Sequence, residues 1–324
     1  MYTPENIITL VKTEIQSLQI KNQPSGLYDP IRYVLSLGGK RIRPVLMLLA
    51  YNLYREDVER IMPLALGLET YHNYTLLHDD LMDRADMRRG HLTVHKKWND
   101  NTAILSGDSM LVLAYSMMQK APAECLAQVL DIFTTTALEI GEGQQYDIDF
   151  ENRNDVTEEE YIEMIRLKTS VLLAAALKIG AVTAGAPSHD ADLLYRFGEK
   201  IGLAFQLQDD YLDVYGDPKV FGKKIGGDIL CNKKTYMLIK AFELADSEQY
   251  QTLQRWIEAD SFVEEEKISA VRSVYDAVGV PQCGNEKINA YFDEALDLLK
   301  QVGLPEEKKE SLKQFVLTLL SRNV

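Results

Sequence analysis

The chain has 324 residues, 46% of them hydrophobic, enough to bury the core of one large domain. Its 49 Asp and Glu side chains outnumber 35 Lys and Arg, and the formal net charge of −14 argues against generic binding to nucleic acid or to an anionic membrane. Any anionic ligand must be met by local cations or by a metal.

The three cysteines, Cys125, Cys231 and Cys283, have no Cys-x-x-Cys spacing, which predicts free thiols in a reducing compartment. Met1-Tyr2-Thr3-Pro4-Glu5-Asn6 offers no basic region followed by an apolar one, so no signal peptide is expected. The longest apolar stretch, 171–186, is interrupted by Lys178 and two glycines and is too short to span a bilayer. A soluble, cytoplasmic protein is expected.

Helical periodicity runs nearly end to end and strand signals are almost absent, so an all-α fold is predicted. A first helix is expected over 5–20 and a second from Pro44 over 44–54. Directly before Pro44 stands Gly38-Gly39-Lys40-Arg41-Ile42-Arg43. Cations at a helix N-terminus oppose the macrodipole, and with two glycines they suit a bound anion such as a diphosphate.

The helix expected over 58–84 carries Tyr71, His72, Tyr74 and Thr75 and ends in Asp79-Asp80-Leu81-Met82-Asp83. At ~100° and ~1.5 Å per residue, spacing i, i+1, i+4 gathers three carboxylates within an arc of ~100° and ~6 Å of axis. Leu76, Leu77, Leu81 and Met82 flank them and predict an apolar, buried face. Asp86, Arg88, Arg89 and Gly90 follow. If the helix continued, Asp86 would share the trio's face. The arginines read either as dipole partners at a helix end or, through their planar fork, as phosphate ligands. His91 and His95 have i, i+4 spacing, but no third ligand accompanies them, which favours a surface or hydrogen-bonded role over zinc.

Further helices are predicted over 102–120, 123–140 and 158–183, the last opened by a capping box at Thr157-Glu158-Glu159-Glu160. Lys168-Thr169 lies within its apolar stretch, where a solvated lysine is uncomfortable. The helix expected over 190–215 carries Gln206 and a second trio, Asp209-Asp210-Tyr211-Leu212-Asp213, 130 positions after the first. One such run in an acidic chain reads as a solvated helix face. Two runs of the same spacing, each in apolar helical context, read as carboxylates awaiting a cation, and room for water and phosphate oxygens suits Mg²⁺. Phe221-Gly222-Lys223-Lys224-Ile225-Gly226-Gly227-Asp228, with Lys233 beyond, is a glycine-rich basic loop able to fold over an anion. The remaining helices are expected over 234–245, 263–278, 285–301 and 305–320. No Walker, Rossmann or nucleophile-elbow motif is present, and no linker divides the chain, so a single domain over 1–324 is expected.

Taken together, Gly-Gly-Lys-Arg-x-Arg-Pro, His72, the first trio through Arg88-Arg89-Gly90, Lys168-Thr169, Phe205-Gln206-x-Gln208 with the second trio, and Gly222-Lys223 through Lys233-x-Thr235 resemble the trans-isoprenyl diphosphate synthases of the polyprenyl synthetase family. The resemblance covers about 38–235. It implies a bundle of mostly antiparallel helices around a deep cavity, usually a homodimer. It also implies three Mg²⁺ ions held by Asp79, Asp80, Asp83, Asp209, Asp210 and Asp213. Lys40, Arg43, His72 and Arg89 match positions that bind isopentenyl diphosphate. Arg88, Lys168, Lys223 and Lys233 match those on the allylic diphosphate, and Thr169 and Gln206 stand near the developing carbocation.

A bulky residue five positions before the first trio acts in the family as the floor of the product tunnel. Tyr74, backed by Tyr71, therefore favours a short product, farnesyl (C15) or geranylgeranyl (C20) diphosphate. Thr75 is small, unlike the aromatic pair of many animal-type farnesyl enzymes, which leaves C20 open. The competing readings are a longer-chain synthase, a terpene cyclase or head-to-head enzyme, and a non-catalytic synthase subunit. The isopentenyl set argues against a cyclase, and two intact trios argue against an inactive subunit.

Overall fold

A computed structural model describes residues 2–217 and 225–320. Its α-helices dominate, and among the described residues the only strands form one two-stranded hairpin. The chain divides into two compact units. One comprises Met1–Thr134, Ala175–Leu194 and Gly303–Leu312, the other Thr135–Ala174, Tyr195–Val302 and Lys313–Val324.

In the first unit, α1 (Pro4–Ser17) starts from a reciprocal capping box between Thr3 and Asn6. Helix α2 (Ser25–Ser36) is not among the predicted helices, and it holds Pro30 in its interior. An interior proline costs about 3 kcal/mol. Burial of Ile31, Val34 and Leu35, each contributing about 1.5–3 kcal/mol, offsets that cost. Helix α3 (Ile42–Asn52) begins two residues before Pro44, with Arg41 in the left-handed region as its N-cap. Helix α4 (Met62–Met82) follows a 3-10 turn at Val58–Ile61 and packs along α6 (Asp100–Met118). Leu77 from α4 and Ala103 and Met110 from α6 share a core cluster with the α2 side chains.

Helix α4 ends sooner than expected. Asp83 is its C-cap, and Met82 is exposed rather than buried. The chain then forms a hairpin of β1 (Met87–Arg88) and β2 (His91–Leu92), turned by Arg89 and Gly90, both at positive φ. Asp86 thus leaves the trio's face and pairs with Lys96. Arg88 and Arg89 belong to a hairpin, not to a helix end. His91 lies on a strand and His95 in the short α5 (Val94–Lys97), so the two never share a helix face.

The second unit contains residues from α7 (Leu126–Glu151), α8 (Glu158–Ile165), α9 (Val171–Thr183) and α10 (Ser188–Tyr215). After the short α11 (Gly227–Leu230) come α12 (Tyr236–Leu244), α13 (Ser247–Ile257), α14 (Glu264–Val278), α15 (Val280–Gln301) and α16 (Glu306–Leu320). Helix α12 packs against α8, α14 and α15 around Met237, Leu238 and Tyr275. The capping box expected at Thr157 forms, Thr157 Oγ1 accepting from Glu160 N at 3.2 Å and Glu160 Oε2 from Thr157 N at 2.9 Å. Helix α13 was not predicted, although Asp246 and Gln249 form a capping box of the same kind.

Residues 158–183 are not one regular helix. A π-helical turn, Arg166–Ser170, joins α8 to α9 and carries Lys168 and Thr169. Its backbone is closely approached from two sides. A Cβ at Gly143 would lie 2.4 Å from Lys168 N, and one at Gly202 2.5 Å from Ser170 Cα. Only glycine at these positions lets α7 and α10 come so near the π turn, a form found mostly as single turns inside α-helices and often at functional sites.

Candidate active site

Asp79, Asp80 and Asp83 cluster at the C-terminal end of α4, Asp83 N–H donating to Asp79 O at 2.9 Å. Asp80 is buried, and burial pushes its carboxyl up to about 6 against the pull of Arg88. Arg88 Nε donates to Asp80 Oδ1 at 2.7 Å, and its Nη2 stands 3.8 Å from Asp79. The hairpin thus returns an arginine onto the acidic patch.

Two turns before Asp79 on the same helix, His72 anchors a cationic cluster drawn from α3 and the hairpin as well. Arg43 Nη1 is 3.0 Å from His72 Nε2. Arg43 Nε is buried with no hydrogen-bond partner among the described residues. Burial lowers the Arg43 guanidinium to about 10, with Glu69 acting in the opposite direction. Arg89 Nη1 donates to Gly38 O at 2.5 Å, and a Cβ on Gly39 would strike the Arg89 guanidinium at 2.8 Å. Gly39, at φ 122°, is therefore the residue that lets Arg89 lie against the Gly38–Gly39 turn. Lys40 follows that turn and is exposed. Arg41 turns the other way, into a buried pair with Glu69 at 2.6 Å and a bond to Leu35 O.

The second trio is more deeply set. Asp210 and Asp213 are buried. Burial and the neighbouring Asp228 push Asp210 up to about 7, although Tyr161 and Gln206 donate to it. Asp213 Oδ2 accepts from Asp228 N at 3.0 Å, which ties the start of α11 to the trio. Gln206 bridges outward, its Nε2 donating to Asp210 at 3.0 Å while its Oε1 accepts from Thr169 Oγ1 at 3.2 Å. Lys168, on the same π turn, donates to Asp147 Oδ2 at 2.5 Å. Lys233 lies just after α11 and acts electrostatically on Asp147 and Asp210. Lys223 falls outside the described residues.

The donor set fits Mg²⁺. Both trios offer hard carboxylate oxygens, and one member of each is raised by burial, so each loses repulsion when a dication arrives. Among the described residues no three ligating side chains converge enough to enclose an ion by themselves. Mg²⁺ does not require such a cage, since it is typically held by one or two carboxylates, with substrate phosphates and water completing its shell.

A profile of the polyprenyl synthetase family matches residues 24–277. The chain belongs to the polyprenyl synthetase family. It is a trans-isoprenyl diphosphate synthase, a short-chain prenyltransferase. It is 43% identical over 235 residues, 72% of each chain, to a geranylgeranyl diphosphate synthase of Methanosarcina mazei. To a geranylfarnesyl diphosphate synthase of Natronomonas pharaonis it is 41% identical over 237 residues, 68% of this chain and 70% of the other. A crystal structure of a geranylgeranyl pyrophosphate synthase superposes with a TM-score of 0.95 at 42% identity, covering 100% of both chains.

In the synthase, Tyr74 and Tyr71 occupy neighbouring turns of α4 with ring centroids 5.4 Å apart. Phe133 stands edge-on to Tyr71 at 5.2 Å, Tyr115 to Phe133 at 4.9 Å, and His78 to Tyr74 at 4.9 Å. Thr75 Oγ1 donates back to His72 O at 2.9 Å. Sequence reasoning missed Asp147 and Tyr161, the partners of Lys168 and Asp210. Neither has a local signal, because each meets its partner across more than twenty residues of chain. His95 is buried with neither ring nitrogen partnered among the described residues, contrary to the hydrogen-bonded or surface role expected of it.

Proposed function

We propose that the synthase elongates allylic diphosphates with isopentenyl diphosphate and releases geranylgeranyl diphosphate (C20). The observation that carries this reading is that α4 bears both a carboxylate trio and His72, which gathers Arg43 of α3 and lies near Arg89 of the hairpin. A cyclase needs only the first, whereas a condensing enzyme needs both. In the proposal the chain acts as a single domain whose two trios, Asp79, Asp80, Asp83 and Asp209, Asp210, Asp213, serve one allylic diphosphate. Three Mg²⁺ ions are expected there. When bound, Mg²⁺ supplies Lewis-acid stabilisation of the departing diphosphate.

The chain's own groups then divide the work. Arg88, Lys168 and Lys233, with Lys223, neutralise charge growing on the leaving diphosphate and so lower the barrier to C–O cleavage. Lys40, Arg43, His72 and Arg89 hold isopentenyl diphosphate with its double bond beside the allylic C1. Thr169 and Gln206 present oxygen dipoles to the allylic cation. The new bond forms between that carbon and the isopentenyl terminus, and the departing diphosphate accepts the proton lost. The floor of Tyr74 on Tyr71 limits growth. The names of similar proteins, geranylgeranyl more often than geranylfarnesyl, favour C20.

The reading includes a cytoplasmic homodimer. Leu105 and Val112, two turns apart on one face of α6, are 60% and 68% exposed. Such a face is suited to a second copy. No helix is long and apolar enough to cross a membrane among the described residues.

The test is an elongation assay with Mg²⁺, labelled isopentenyl diphosphate and, separately, C5, C10 and C15 primers. Accumulation of C20 is expected. Absence of elongation with every primer would remove the reading.

A further inference from the structure

Asp147 has no place in the roles assigned above, yet it is bonded directly to a residue that has one. It projects from α7, and Lys168 Nζ on the π turn reaches it at 2.5 Å. Both side chains are largely buried, at 19% and 22% exposure, so the pair is poorly screened. Gly143, one turn before Asp147 on α7, sets the separation, because a Cβ there would collide with Lys168 N. Burial alone would push the Asp147 carboxyl up. Lys233 and Lys168 together reverse that and hold it below the usual carboxylate range. The carboxylate thus sits in direct contact with one ammonium group, that of Lys168, where α7 and the π turn come closest.

We infer that Asp147 is a positioning residue that aims Lys168 at the leaving diphosphate and limits how tightly it grips that group. The inference rests on the proposed function for the identity of the anion. Without that carboxylate the Lys168 ammonium loses the 2.5 Å ion pair that fixes its direction, so the geometry that receives the leaving group is lost before substrate arrives. The same charge opposes a bound diphosphate. Its effect is felt most in the product state, where diphosphate must leave for another round. Aim and grip therefore respond in opposite directions to removal of the charge, which a merely structural aspartate would not produce.

The experiment compares wild-type protein with Asp147→Asn and Asp147→Glu, each checked for a cooperative melt. Inorganic diphosphate is titrated calorimetrically in metal-free buffer, and kcat and allylic KM are measured with Mg²⁺. Removing one unit charge at this range should tighten diphosphate binding by about three- to tenfold in Asp147→Asn. Its kcat should fall about tenfold with no rise in allylic KM. Asp147→Glu should keep wild-type diphosphate affinity with a smaller loss in kcat. Unchanged or weaker diphosphate binding in Asp147→Asn overturns the inference, as does tighter binding in Asp147→Glu. If Asp147→Asn does not fold, amine acylation of the wild-type protein decides. Diphosphate should protect Lys168, and absence of that protection overturns the inference. A wild-type protein that elongates no primer would fail the prenyltransferase reading instead, and the titration would still report on Asp147.

Discussion

His72 Nε2 accepts a hydrogen bond from Arg43 Nη1 at 3.0 Å, and because guanidinium only donates, the imidazole is neutral with its proton on Nδ1. Burial, then Arg43 and Arg89, hold its pKa well below the ordinary 6.5. The unfolded chain therefore takes up a proton near 6.5 that the folded chain refuses. Stability from this site is complete above that pH and is lost as pH falls below it. His72→Gln should flatten the decline in melting temperature between about pH 7 and pH 5. An unaltered slope would mean that His72 is not held neutral.

The same residue bears on substrate choice. His72→Ala should raise the KM for isopentenyl diphosphate about tenfold, by loss of one hydrogen bond in the anion pocket, and leave the allylic KM near its wild-type value. A rise in both would place His72 outside a dedicated isopentenyl pocket.

Tyr74→Ala should lengthen the product by at least one C5 unit. Tyr71 is 2% exposed and wedged between Tyr74 and Phe133, so Tyr71→Ala should in addition destabilise the fold by about 3 kcal/mol. Chromatography of dephosphorylated products checks the first effect and thermal melts the second. An unchanged product profile in Tyr74→Ala removes the floor.

Glu158 binds Lys240 and Lys287, which hold its carboxyl below the usual range despite partial burial. A depressed carboxylate stabilises above its unfolded pKa, and the contribution disappears as pH falls through the folded value. Glu158→Gln should cost about 1–3 kcal/mol at neutral pH and much less at about pH 3, as measured by urea unfolding. Equal costs at both pH values would show that the ion pairs contribute nothing.

Much of the site was legible because its chemistry is written in local spacing. Two Asp-Asp-x-x-Asp runs, the glycines before Lys40, and Thr157 followed by Glu160 each state their geometry within one turn of chain. The π turn was not legible, since the helices that close on it do so at Gly143 and Gly202, each more than twenty residues from Lys168. Helix α2 went unread, and it holds Pro30, whose cost is outweighed by tertiary burial that periodicity alone does not weigh. The hairpin that brings Arg88 back to Asp80 was missed because the first trio's helix pattern runs on past Met82, and only the positive φ of Arg89 and Gly90 reveals the reversal. Helix α13 carried its own sign in Asp246 and Gln249 and went unread.

Chelation of divalent metal should abolish turnover, and added Mg²⁺ should restore it. Asp80→Asn and Asp210→Asn should each lower kcat by about 10²–10³-fold, the scale of losing one preorganised electrostatic contact to a leaving group. Asp210→Asn retaining near-wild-type kcat would detach the second trio from the chemistry.

The claim that both trios serve one leaving group is tested most directly by diffraction from crystals grown with Mg²⁺ and an allylic thiolodiphosphate, whose bridging sulfur slows ionisation. The account predicts a single diphosphate whose metal ions are ligated on one side from Asp79, Asp80 and Asp83 and on the other from Asp209, Asp210 and Asp213. Metal at one trio alone, or two separate anions each with its own trio, would contradict it.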